Sequence, residues 1–206
     1  MDCARENACV RTQTPDRRAD VTPAARIRSP MKDRGQWMRA ADVLELYATL
    51  EHLGVLMWID GGWGVDALLG KETHSHGDLD IAIEHKDAPK ARALLEQRGY
   101  REAKRDSEWN FVLADASGHS VDFHLFVRNK DGQVVDGTRY PDESLTGTGT
   151  IAGTPVRCIA PEYAVQFRTA YTPRERDLHD VAALCEKFGL SYPHGYAPTG
   201  KHADGA

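Results

Sequence analysis

Apolar residues recur at intervals of three and four at Val43, Leu46, Tyr47, Leu50 and Leu53, which predicts a core-packing helix from Ala40 that Gly54 stops. Val55 to Asp60 is a short apolar run followed by glycines and reads as a buried strand. The turn Gly61-Gly62-Trp63-Gly64 then leads into a short helix carrying Val65, Leu68 and Leu69 and ended by Gly70. From Leu79 to Glu84 the period falls to two, so that Asp78, Asp80 and Ala82 share one face and Leu79, Ile81 and Ile83 the other. Asp87 is placed to cap a helix with Ala91, Leu94 and Leu95 inward and Gly99 as its stop. Trp109 to Leu113 and Ser120 to Val127 read as a hairpin around Asp115-Ala116-Ser117-Gly118. In its second strand Val121, Phe123, Leu125 and Val127 lie on one face, Asp122 and His124 on the other.

Beyond Asp131-Gly132, itself a turn, residues Asp136 to Gly149 are rich in Gly, Thr, Asp and Pro and are expected to form a loop, long enough to be a lid or a substrate loop. A strand over Thr154 to Ile159 follows. Pro161 starts a helix with Ala164, Val165, Phe167 and Tyr171, and Pro173 breaks it. A last amphipathic helix carries Leu178, Val181, Leu184, Cys185 and Phe188 up to Gly189. The first 37 residues hold only isolated apolar side chains such as Val21 and Ile27 and are expected to be disordered, with Met31 or Met38 as alternative starts. One domain, 38–190, and a loose tail, 191–206, complete the expected organisation.

Composition narrows the function. A net charge of −5 over 206 residues gives no basic footprint, so no stable nucleic-acid partner is expected. Apolar runs fall short of the ~20 residues a spanning helix needs, and no membrane association is expected. Cys3, Cys9, Cys158 and Cys185 show neither CxxC nor Cys/His spacing, which disfavours a zinc site or a disulfide framework and fits the cytoplasm.

The candidate chemistry lies in three aspartates. Asp78, Asp80 and Asp122 project from alternating strands, and if those strands pair, the carboxylates converge and repel unless a cation joins them. Mg²⁺, oxygen-seeking and at home between carboxylates and phosphates, suits them, and a pair of such ions can serve phosphoryl or nucleotidyl transfer. The Gly61-Gly62 turn offers backbone N–H groups to phosphate without a Cβ in the way, and the helix behind it adds its positive end.

GGW, the downstream HGDLDIAI and the later VDFH resemble the lincosamide and aminoglycoside antibiotic nucleotidyltransferases of the DNA polymerase β-like superfamily, over roughly Val43 to Phe188. Trp63 stands where the wider superfamily usually has Ser; the small antibiotic enzymes share the Trp. The resemblance implies an α/β (α+β) fold, a palm-like mixed sheet flanked by helices with further helices at the C-terminus. It implies transfer of AMP from ATP, or of another NTP's nucleotide, to a hydroxyl of a small-molecule acceptor, lincosamide-like first and aminoglycoside second, with release of pyrophosphate. Asp78 and Asp80 would hold Mg²⁺, and Asp122 would complete the metal site or act as general base. Gly61, Gly62, Trp63, Lys71 and His76 fall to the nucleotide, with His76 equally suited to a loop-fixing hydrogen bond. Asp60, Trp109, His124 and Tyr171 are candidates for substrate contact, although Asp60 reads foremost as a turn stabiliser, and Trp109 and Tyr171 as core. Arg168, Arg174 and Arg176 are cations available to phosphate, yet such residues are more often solvated surface charges, and Asp180 either orients a basic residue or is exposed. Related enzymes often build their acceptor site near a dimer contact, which allows a homodimer. Other readings are a toxin–antitoxin-type enzyme modifying protein or tRNA, and an inactive nucleotide-binding module.

Overall fold

A computed structural model describes residues 37–196. The expected disordered extension, apart from Trp37, and the last ten residues lie outside the described residues. Helix α1 (Ala40–His52) leads into strand β1 (Met57–Ile59), helix α2 (Gly61–Leu69) and strand β2 (Asp78–Glu84). Helix α3 (Ala88–Gln97), then strands β3 (Arg101–Arg105), β4 (Asn110–Ala114), β5 (Ser120–Arg128) and β6 (Val134–Gly137) follow. Strands β7 (Gly147–Ile151) and β8 (Thr154–Cys158) and helices α4 (Pro161–Arg168) and α5 (Glu175–Phe188) complete it.

The strands form one mixed sheet in the order β3-β4-β5-β2-β1-β8-β7, with β6 beside the far half of β5. β2 runs parallel to β5, and β1 parallel to β8; the other pairs are antiparallel. The period-two faces hold: Leu79, Ile81, Ile83, Val121, Phe123 and Leu125 are buried, and Phe123 stacks on Phe111 with ring centroids 4.6 Å apart. Burying each such side chain contributes about 1.5–3 kcal/mol. Val43, Leu46 and Leu50 of α1 and Ala91 and Leu95 of α3 join the same core. Helix α2 packs on β2 and β7 and against α4 and α5.

Several expectations are corrected. Asp87 does not cap α3: a 3-10 turn over His85–Asp87 runs into the helix, and the carboxylate lies 3.7 Å from Lys90 instead. Residues 136–149 are not a free loop. β6, a 3-10 segment at Asp142–Thr146 and β7 occupy it, because backbone hydrogen bonds to β5 and β8 supply order that apolar side chains do not. β3, exposed throughout and charged at every position but Ala103, is an edge strand without apolar alternation; Arg105 pairs with Glu102 and lies over the Phe111 ring at 4.7 Å. α4 ends at Arg168, so Tyr171 is outside it. Leu53, Leu178 and Phe188, read as inward, are partly exposed to solvent. Residues 191–196 are not loose: Tyr196 is buried and its hydroxyl donates to the Arg168 carbonyl at 3.2 Å.

Candidate active site

The end of β1 and the start of α2 form one wall. Asp60 N-caps α2, taking the Gly61 N–H at 2.7 Å on Oδ1 and the Tyr140 hydroxyl at 2.8 Å on Oδ2. Turn stabilisation is thus its visible role. Gly61-Gly62 is the first turn of the helix itself, and the N–H groups of Gly62 and Trp63 have no acceptor within that turn. Both glycines are required by close approach. Gly61 has φ +56°, and a Cβ on it would lie 1.8 Å from Asp80 Oδ2; on Gly62 it would lie 2.3 Å from His76 Nδ1.

β2 and β5 form the floor. Their parallel register sets Asp80 directly beside Asp122 and Asp78 beside Ser120, so the three aspartates share a face as the alternation requires. Burial, and then the Asp80 charge, raises Asp78 above its ordinary value. Burial raises Asp122 to about 6, with Asp80 and Asp78 adding and His124 opposing. His124 points the same way, Nε2 at 3.6 Å from Asp80 Oδ1 and 4.0 Å from Asp122 Oδ1. Burial lowers its pKa, but these carboxylates more than offset that, and the net shift is upward. Asp80, Asp122 and His124 offer ligand atoms all within 4.8 Å of one another. Carboxylates that raise one another's pKa fit a hard divalent cation.

α4, α5 and the segment between them close a pocket of ≈ 320 Å³ over Gly61, Gly62, Asp78 and Asp80. Its cations are Arg168, Arg174 and Arg176. Arg168 is not a solvated charge: it is 7% exposed, donates to the Gly61 carbonyl and faces the buried Asp180 at 3.5 Å. Asp180 is thus buried beside a basic residue and not exposed. Arg174 pairs with Asp177, and Tyr171 is not core either. It is 46% exposed, lines the pocket and donates to Asp177 at 3.1 Å.

Three candidates stand elsewhere. Trp63 is buried against His76, ring centroids 4.8 Å apart, and is not among the residues that line the pocket. Lys71 follows the far end of the nine-residue α2, about 13 Å of helix away from Gly61, and lines a separate hollow. Trp109 alternates to the face opposite Asn110 and packs edge-on to His85 at 5.2 Å.

Sequence reasoning missed the residues that fix these groups. Asp66, buried on α2, takes His76 Nε2 at 2.6 Å and both the backbone N–H and hydroxyl of Thr73 at 3.0 and 2.6 Å. The detectable signal was a carboxylate at the buried helical spacing of Trp63, which demands a partner. His76 therefore makes the loop-fixing bond and also borders the pocket, as does His74. Tyr140, Asn110 and Thr138 carried no signal of their own.

Comparison with known proteins agrees with this arrangement. Residues 42–184 match the family described as aminoglycoside-2''-adenylyltransferase. A lincosamide resistance protein of Staphylococcus haemolyticus is 29% identical over 147 residues, 69% of this chain and 89% of that protein. A 2''-aminoglycoside nucleotidyltransferase of Klebsiella pneumoniae is 26% identical over 55% of this chain and 63% of its own length. The solved structure of a lincosamide antibiotic adenylyltransferase with lincomycin bound has 26% identity and a TM-score of 0.65, covering 72% of this chain and 97% of that one. ANT(2'')-Ia in complex with adenylyl-2''-tobramycin shares the fold, with a TM-score of 0.62 at 21% identity over 73% of this chain and 89% of its own. With a glycine-led helix start beside paired strand aspartates and a match over most of its length, this chain belongs to the aminoglycoside-2''-adenylyltransferase family of nucleotidyltransferases.

Proposed function

We propose that the protein transfers AMP from ATP to a hydroxyl of a small antibiotic, a lincosamide before an aminoglycoside, and releases pyrophosphate. The carrying observation is the in-register pairing of Asp80 with Asp122 beside the Gly61-Gly62 helix start. The lincosamide preference rests on the 29% identical relative, of which the matched region covers 89%.

Across the sheet the order is phosphate turn after β1, then Asp78 and Asp80 on β2, then Asp122 on β5. The triphosphate accordingly belongs to the β1 side, in the pocket with Arg168, Arg174 and Arg176, and the acceptor to the β5 side. The Gly62 and Trp63 N–H groups and the α2 N-terminus bind phosphate oxygens. Asp78 and Asp80 would hold Mg²⁺, which when bound neutralises phosphate charge and assists the leaving pyrophosphate. Asp122, on the acceptor side, takes the proton of the attacking hydroxyl on a carboxylate oxygen. His76, anchored by Asp66, holds the glycine turn at its distance from the aspartates. Pyrophosphate formation from ATP, followed with and without a lincosamide or an aminoglycoside, tests this. Release that requires both the drug and a divalent cation is expected. Release that ignores the drug contradicts it, and labelling of a protein or tRNA would point to a toxin-like enzyme instead.

A further inference from the structure

Asp60 puts a carboxylate at the place where the pocket is to receive phosphate. It N-caps α2, lines the same pocket as Gly61, Gly62, Asp78 and Asp80, and donates its backbone N–H to the Asp80 carbonyl at 2.9 Å. The positive end of a helix that attracts a phosphate attracts a neighbouring carboxylate equally. An Asp60 side chain free to turn would compete with a triphosphate for the Gly62 and Trp63 N–H groups and repel it. Both of its oxygens are instead engaged away from those groups. Oδ1 takes the Gly61 N–H at 2.7 Å, and Oδ2 takes the Tyr140 hydroxyl at 2.8 Å. The first bond comes from the adjacent residue and fixes one oxygen; the second comes from 80 residues away and fixes the other. Tyr140 is 5% exposed and packs edge-on between Phe126 and Phe167, with ring centroids 6.1 and 5.7 Å away. Its own N–H donates to the Thr138 carbonyl at 2.8 Å, and the Pro141 carbonyl accepts from the Ser144 N–H at 2.8 Å. A ring so enclosed, on a backbone anchored on both sides, sets the carboxylate and is not set by it.

We infer that Tyr140 is a positioning residue for the nucleotide: its hydroxyl holds the Asp60 carboxylate against the start of α2 and away from the triphosphate. The first turn of α2 then meets phosphate without a competing anion beside it. Tyr140 acts on nucleotide affinity and not on the chemical step. The inference rests on the proposed use of ATP, but not on the identity of the acceptor.

The test is a pair of calorimetric titrations of the full chain with ATP and Mg²⁺, joined to steady-state kinetics with a lincosamide. Tyr140→Phe keeps the ring between Phe126 and Phe167 and removes only the hydroxyl, so its melting temperature reports that folding is intact. It should weaken ATP binding about tenfold, as loss of a hydrogen bond to a charged group allows, and raise KM for ATP to match while kcat stays within about twofold. The same substitution on an Asp60→Asn background should change the Kd for ATP by less than about twofold, because no carboxylate remains to be held. A lowered melting temperature with ATP affinity unchanged would reduce Tyr140 to packing and overturn the inference. Equal losses in both backgrounds would overturn it too, since Tyr140 would then not act through Asp60, as would a fall in kcat with KM unchanged. Should the unaltered chain bind ATP and modify no drug, antibiotic adenylylation fails as a reading, and the titrations still decide the role of Tyr140. An unaltered chain that binds no ATP would overturn both.

Discussion

Asp80, Gly62 and Asp122 each make a different demand at the centre of the site. Asp80→Asn removes a charge from a group of repelling carboxylates. It should lower turnover by roughly 100-fold or more and leave the melting temperature equal or higher; a destabilised but fully active variant would refute the metal-site assignment. Gly62→Ala places a Cβ 2.3 Å from His76 Nδ1, so either the ring or the turn must shift. Thermal unfolding should show a loss of about 1–3 kcal/mol, with a raised KM for ATP; an unchanged KM would separate the turn from phosphate. Asp122 is raised to about 6 from 3.8 in the metal-free protein, so between those values the native state holds more protons than the unfolded chain, and stability falls as pH rises. Asp122→Asn should flatten that slope in EDTA without abolishing it, since Asp78 is shifted in the same direction. Urea midpoints at pH 4.5 and 7 measure the difference, and an unaltered slope would contradict the assigned cause.

At the scale of elements, α2 depends on a polar anchor in its second turn. Asp66→Ala strips acceptors from both His76 and Thr73, and chemical denaturation should record a cost of about 2 kcal/mol or more. A near-neutral effect would mean that the anchor is dispensable. The parts of the fold legible in the sequence are those whose burial is periodic: α1, β2 and β5 announce themselves through alternating or three-and-four spacing, and alternation alone puts Asp78, Asp80, Asp122 and His124 on the right faces. β3 is invisible because an exposed edge needs charge and not apolar alternation. β6 and β7 lie in Gly- and Thr-rich sequence whose order comes from backbone pairing. The same logic explains the site. Acids on strands could be read directly. Asn110, Thr138 and Tyr140 could not, because each acts through a partner 14 to 80 residues away, a distance that only the folded register closes.

For the whole molecule, the sheet brings together what the chain separates. The glycine turn and two of the site's aspartates come from residues 61–80, the third from β5, and the cationic cover from α4, α5 and their connection. Among the described residues no helix is long and apolar enough to cross a membrane, and Cys158 and Cys185 are free and buried. On the proposed reading the triphosphate lies on the β1–β2 side and the acceptor on the β5 side, beside Asp122. The most direct test of adenylyl transfer is mass spectrometry of a lincosamide and an aminoglycoside incubated with the protein, ATP and Mg²⁺. One adenylyl group on the lincosamide, absent with EDTA and absent with Asp80→Asn, is the predicted result; ATP consumed with neither drug modified would contradict it.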